Sequence, residues 1–261
     1  MPLNLNSNGY IIGFATAVCL VSSIFVSGAA VSLKEKQKAN ALLDLQKNVV
    51  AVSGLTDKKE LLQSDIDNFF NASAEERIEE LYVDLSSGKA VDKKVVDDHT
   101  AAVKNDPAKS CPQPKVNKPK IRCLPKYKRV FNVIKNGVVE KVIIEIEGKG
   151  LWSTLQGFLA LDSSGKIIQG ITFYAHKETP GLGGEVDNVS WKNEWPGKIA
   201  YDGGGKPQVR VIKGQANADS KTDISGLSGA TLTANGVTYL VQFWLGEEGY
   251  GNYLNSLGRG A

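Results

Sequence analysis

The longest apolar stretch of the chain runs from Tyr10 to Leu33 without a charge, and the first charged side chain anywhere is Lys34. A helix of that length spans a hydrocarbon core of roughly 30 Å with its backbone hydrogen bonds satisfied internally. Small residues in "SGAA" at its end also suit a cleaved signal peptide. However, no Lys or Arg precedes the run, and its apolar part is longer than a signal core, so a retained anchor is expected. Residues 34–52 continue as a polar-faced helix. "DKKELLQSDIDNFF" predicts a second helix, with Leu61, Leu62, Ile66 and Phe69 near helical spacing. Ser73 to Glu76 spells a capping box ahead of a third, acidic helix. Charges and prolines dominate about 88–126, which predicts loops.

At Tyr127 the pattern changes to β. "YKRVFNVI" and "VVEKVIIEIEG" flank Asn136-Gly137, a hairpin turn. "GFLALDSSGKIIQGITFYAH" repeats the form, and "PQVRVIKG" predicts a later strand. After Thr231, Val237, Leu240, Val241 and Trp244 fall on one face of a helix. The expectation is an α+β fold, an antiparallel sheet with surrounding helices, preceded by one transmembrane helix. Its divisions are a short tail at 1–9, the membrane helix at 10–33, a helical and loop-rich extension at 34–126, and an α+β domain at 127–261.

Composition narrows the chemistry. A net charge of +3 and the lack of a basic stripe argue against nucleic acid. With two histidines and three cysteines, none in a CxxC pair, no metal site is expected. Cys111 and Cys123 bracket a Pro- and Lys-rich loop. They are either a disulfide, worth about 2–3 kcal/mol in loop-closure entropy, or two thiols. Lys34, Lys36 and Lys38 come directly after the anchor, and by the charge rule they favour a cytoplasmic position for the rest of the chain.

One threonine stands out. Gly226, Ser228, Gly229 and Ala230 leave little bulk ahead of Thr231, which begins the last predicted helix. Unpaired N–H groups and the helix dipole make such a start a site for phosphate. A nucleophile elbow at Ser228 fails, because Gly226-Leu-Ser228-Gly229-Ala230 lacks the final glycine.

"SGATLT" resembles the sequence at which FMN is joined through its phosphate to a threonine, here Thr231, with Ser228, Gly229 and Ala230 around it. Asp223 precedes it, at a spacing two residues longer than usual. "HKETPGLGGEVDN" at 176–188 resembles the E-T-P-G-L-G loop of the same FMN-binding domains. The resemblance implies that Leu182 lies against the flavin ring, with Glu178, Thr179 and Gly183 supplying polar or backbone contacts. Thr233 is the competing hydroxyl, expected to tolerate valine.

"GKGLWSTLQGFLAL", "NEWPGK" and "FWLGEEGYGNYL" extend the likeness to the C subunits of sodium-translocating NADH:quinone reductases. The G subunits of Rnf electron-transfer complexes share the anchor and both motifs, but they are usually shorter. They lack the G-L-W-S segment and the insertion at 53–125. An FMN-binding module outside any pump is the other alternative.

Membership implies a six-subunit complex in a bacterial inner membrane that oxidises NADH, reduces ubiquinone and exports sodium. This chain would relay electrons through covalent FMN on the periplasmic side, after attachment by a flavin transferase. It has no dinucleotide fingerprint of its own and no complete catalytic site, so NADH is expected to bind elsewhere in the complex.

Overall fold

The computed structural model describes residues 7–56, 58 and 60–257. Part of the expected tail (1–6) and Asp57 and Lys59 of the expected second helix lie outside the described residues, as do 258–261. Residues 1–45 and residues 46–261 form separate compact units.

In the first unit one helix dominates. Helix α1 (Asn8–Ser53) runs unbroken through the apolar stretch and the charged residues after it. Its apolar side chains face outward all round, with Phe25 74% and Ile24 70% exposed. Such a surface is unfavourable in water and suited to lipid. Among the described residues it is the one helix long and apolar enough to cross a membrane. The helix fits a membrane anchor.

The second unit begins within the last turns of α1, where Val49 and Val50 are fully buried. Helix α2 (Gln63–Phe69) is shorter than the pattern predicts. Leu62 keeps an extended backbone as its N-cap and is 69% exposed, so neither Leu61 nor Leu62 joins the helical face. Ile66 alone is fully buried from this helix, while Phe70 meets the edge of Phe131.

The acidic helix expected after Ser73 is a strand instead. Strand β1 (Glu76–Asp84) pairs with β3 (Tyr127–Lys135) along its whole length, from Glu76↔Lys135 to Asp84↔Tyr127. A full ladder with buried Ile78 and Val83 outweighs the local helix preference of glutamates, and Lys135 pairs with Glu76 at 2.7 Å. The segment 88–126 is mostly loop as expected. It also carries β2 (Ala90–Val91), helix α3 (Lys93–Val103), capped by the Asp92 side chain, and the single turn α4 (Pro107–Ser110). Cys111 and Cys123 are paired as a disulfide. The loop they close is held by Lys115 N–H and Val116 N–H, which donate to the Glu248 carboxylate.

Both predicted hairpins are present: β3 with β4 (Val138–Lys149), and β5 (Thr154–Asp162) with β6 (Ile168–Ala175). Asn136 and Gly137 have φ of 51° and 78°, the conformation of a type I′ turn. The sheet is antiparallel throughout, in the order β2-β1-β3-β4-β5-β6. Strands β1 and β2 thus join the sheet from within the stretch 34–126. A 3-10 helix (Gly183–Asp187) and α5 (Val189–Lys192) follow β6. The strand expected in "PQVRVIKG" is reduced to β7 (Arg210–Val211), parallel to β8 (Asp223–Ile224).

Helix α6 (Thr231–Leu245) covers one face of the sheet, followed by α7 (Gly251–Leu257). Val237, Leu240, Val241 and Trp244 are all fully buried and join a core with Val142, Ile144 and Ile146 of β4. Alternate positions of the same sheet, including Phe131 and Phe158, turn the other way and stack edge to face. Gly236 lets α6 settle onto the end of β4: a Cβ there would strike the Lys149 carbonyl oxygen. That contact places the start of α6 beside the loop after β4.

Candidate flavin site

The chain leaves β6 at Ala175 and turns at once. His176 Nε2 lies 2.7 Å from Asp187 Oδ2, and Glu178 N–H donates to His176 Nδ1 at 3.2 Å. Nδ1 therefore acts as acceptor, and the ring proton sits on Nε2 toward Asp187. The Thr179 carbonyl accepts from both Leu182 N–H and Gly184 N–H, which closes the Pro180-Gly181 turn. Leu182 is left 43% exposed at its tip.

On the other side, Gly229 has φ +69°, and a Cβ on it would lie 2.8 Å from Leu182 Cδ2. The E-T-P-G-L-G loop and the S-G-A-T segment, about fifty residues apart, are thus in contact. Thr231 is exposed as the first residue of α6, preceded by Ala230, which supplies no side-chain cap. A cavity of about 380 Å³ opens here, lined by Lys213, Gln215, Gly226, Ser228, Gly229 and Thr231 among others. That volume lies within the range of small-molecule sites, about 300–1,000 Å³.

The expected contacts fall into two layers. Thr231, Ser228, Gly229 and Leu182 are exposed at the surface, as is Thr179, whose carbonyl serves the turn. Glu178, Gly183 and Ala230 are buried beneath them. Glu178 is only 5% exposed. Its carboxylate accepts from Leu151 N–H (3.1 Å), Trp152 N–H (3.0 Å) and Ser153 N–H (2.9 Å), and from the Thr233 hydroxyl at 2.7 Å. Thr233, the competing hydroxyl, is therefore not free at the surface. It is fully buried and committed to Glu178, so valine there would remove a donor from a buried carboxylate. Asp223 is likewise engaged elsewhere, accepting from Arg210 Nε at 2.8 Å.

Burial pushes the Glu178 pKa up, but the hydrogen bonds from Thr233, Ser153, Trp152 and Leu151 together outweigh it and hold the carboxyl below its ordinary value. A depressed folded-state pKa contributes stability that is present above the unfolded value and lost as pH falls through the folded one. Wild type should therefore unfold at higher temperature than Glu178→Gln at neutral pH. The gap should close in acid as Glu178 protonates; an equal gap at every pH would contradict this.

Lys213, Gln215 and Asn235 also line the cavity, and no sequence motif marks them. The loop 212–215 reaches the site through long-range pairing: Ile212 N–H donates to Ile224 O and Gly226 N–H to Gly214 O. Among the described residues no group of three or more His, Cys, Asp or Glu side chains is arranged to hold a metal.

Residues 150–246, which contain both motifs, match the FMN-binding domain family. The C subunit of the Na(+)-translocating NADH-quinone reductase of Yersinia pestis is 40% identical over 100% of this chain and 97% of its own length. The Pseudomonas aeruginosa C subunit is 42% identical over 94% of each. The crystal structure of Shewanella oneidensis NqrC superposes with a TM-score of 0.72 at 30% identity, covering 83% of this chain and 97% of that one. These relatives favour the C subunits over the Rnf alternative. The chain is an FMN-binding α+β protein with an N-terminal helix that fits a membrane anchor, and it belongs to the family of C subunits of Na(+)-translocating NADH-quinone reductases.

Proposed function

We propose that Thr231 carries FMN through a phosphoester and that this chain relays electrons within a six-subunit, sodium-exporting NADH:ubiquinone reductase. The observation that carries this reading is the exposed Thr231 at an uncapped helix start, lining a cavity, with Leu182 against the nearby Gly229. The first N–H groups of α6 suit a phosphate. Gly229 admits it close to the backbone, and Leu182 offers an apolar cover for a ring.

Bound there, FMN supplies a reversible acceptor of electrons, and the protein positions it and limits water. In maturation Thr231 Oγ1 would attack the flavin-side phosphorus of FAD. A new O–P bond forms, the pyrophosphate bond breaks with AMP leaving, and the hydroxyl proton passes to a base of the flavin transferase. NADH binding falls to other subunits.

The paired cysteines support a reading of the compartment. The Cys111–Cys123 bond suits an oxidising environment, which favours a periplasmic position for residues 34–261 against the charge of Lys34, Lys36 and Lys38. Long domains also cross membranes largely regardless of charge. The tagged chain should co-purify with NADH:quinone reductase activity, and protease added to spheroplasts should digest residues 46–261. A flavin-bearing chain that purifies alone would favour the module outside a pump, and protection from protease would reverse the orientation.

Leu182→Ala should leave flavin attached to Thr231 but change its visible spectrum and midpoint potential, since the exposed apolar tip is lost. An unchanged spectrum and potential would place the E-T-P-G-L-G turn away from the ring.

A further inference from the structure

We infer that Glu178 is the positioning residue of the flavin site: a buried anion that ties the first turn of α6, which begins at Thr231, to the turn that carries Leu182, and places a fixed negative charge beneath the surface of the site. The inference rests on the FMN reading above. Glu178 belongs to the turn that carries Leu182, yet its side chain points away from the surface. Oε1 accepts from Trp152 N–H and Ser153 N–H and from Ser153 Oγ at 3.3 Å, while Oε2 accepts from Leu151 N–H and the Thr233 hydroxyl. One carboxylate therefore ties three segments together: the loop between β4 and β5, the turn after β6 and the first turn of α6.

The glycines around it report how closely these segments are drawn in. A Cβ on Gly150 would lie 2.7 Å from Glu178 Oε1. One on Gly183 would lie 2.6 Å from Thr233 Oγ1 and 2.8 Å from Glu178 Oε2. At these two glycines the backbone itself comes up against the carboxylate. Ser153 Oγ also accepts from Lys177 N–H at 2.7 Å, which fastens the same two loops a second time.

The buried contacts fix the surface layer in two places. Thr233 lies two residues beyond Thr231 in the same helical turn, so holding its hydroxyl sets the position of Thr231. Leu182 lies four residues beyond Glu178 across the closed turn, so the same anion sets Leu182. All the donors to the carboxylate are neutral groups, so its negative charge is spread but not cancelled. A fixed negative charge below the site opposes addition of electrons to a bound flavin and lowers its potential.

The test uses the full-length chain co-expressed with a flavin transferase, carrying Glu178→Gln, Thr233→Val or Thr233→Ser. It reads the rate of appearance of the fluorescent band on a denaturing gel and the midpoint potential of the attached flavin. In Glu178→Gln, attachment should slow about tenfold or more, the factor that loss of a charge-assisted hydrogen bond corresponds to, and the potential should move positive. Thr233→Val keeps the charge but cuts the tie to α6, so attachment should slow with a smaller change in potential. Thr233→Ser keeps the donor and should restore both toward wild type.

Lower thermal stability with unchanged attachment rate and potential in Glu178→Gln would overturn the inference, leaving Glu178 a purely structural residue. Should Glu178→Gln fail to fold, equal attachment rates in Thr233→Val and Thr233→Ser would overturn it. A wild-type chain without any flavin band would overturn the FMN reading and the inference with it.

Discussion

Thr231→Ala should remove covalent flavin entirely while leaving the chain folded and in the membrane. The side chain is exposed at the first position of α6, where alanine is a good helix former and no cap is lost. Substitutions of this kind change stability by about 0.5 kcal/mol or less. The effect on flavin is all or none, because no neighbouring hydroxyl is equivalent. Thr233 is fully buried and donates to Glu178. Ser228 is exposed in the same cavity but precedes the helix, so its hydroxyl lies outside the first turn of N–H donors. Flavin fluorescence should vanish from the denatured band; a persistent band would assign attachment to another residue, with Ser228 the first to examine.

The largest loss of stability should come from Trp244→Ala. Trp244 is fully buried, its Nε1–H donates to the Glu147 carbonyl at 2.7 Å, and its ring meets Tyr250 with centroids 5.7 Å apart. Lys128 Nζ sits 4.4 Å from the ring centroid and pairs with Glu145 at 3.6 Å. Truncation opens a cavity between α6 and β4, unpairs the ring N–H's carbonyl partner and strips a nearly buried ammonium of its aromatic face. Aromatic-to-alanine changes in cores cost about 3–5 kcal/mol. For a unit of this size that corresponds to a fall in Tm of about 6–20 °C. Thermal unfolding of the detergent-solubilised chain checks it, and a fall of only a degree or two would mean that α6 is not packed as described.

The parts of the fold that can be read from the sequence are those whose signals are local. Asn136-Gly137 between two β-rich runs sets one hairpin, and four apolar residues on one face set α6. Residues 76–84 read wrongly as helix because Ser73 and Glu76 spell a helix start, whereas the deciding partner, β3, lies about fifty residues on. Nothing near Glu76 announces the Lys135 that pairs with it. Similarly, Leu61 and Leu62 fit a helical period but precede the helix, whose start is set by Asp65 accepting from Leu62 N–H.

Within the site, the exposed layer is legible and the buried one is not. Thr231 and Leu182 stand in recognisable segments, while a glutamate beside Pro-Gly reads as a surface residue. Its inward turn depends on the amides of 151–153, which no spacing within 176–188 reveals. For Thr233 a signal does exist. It lies four residues before Val237, on the stripe that continues through Leu240, Val241 and Trp244, and so belongs to the buried face of α6. The cavity residues Lys213 and Gln215 carry no such signal, because only the parallel β7–β8 pairing brings their loop to Thr231.

The most direct test of covalent attachment is fragment mass spectrometry of the peptide beginning at Thr222, taken from the chain matured with a flavin transferase. The predicted result is one FMN, added with loss of water, localised to Thr231. An unmodified peptide, or the same adduct on Ser228 or Thr233, would contradict the assignment.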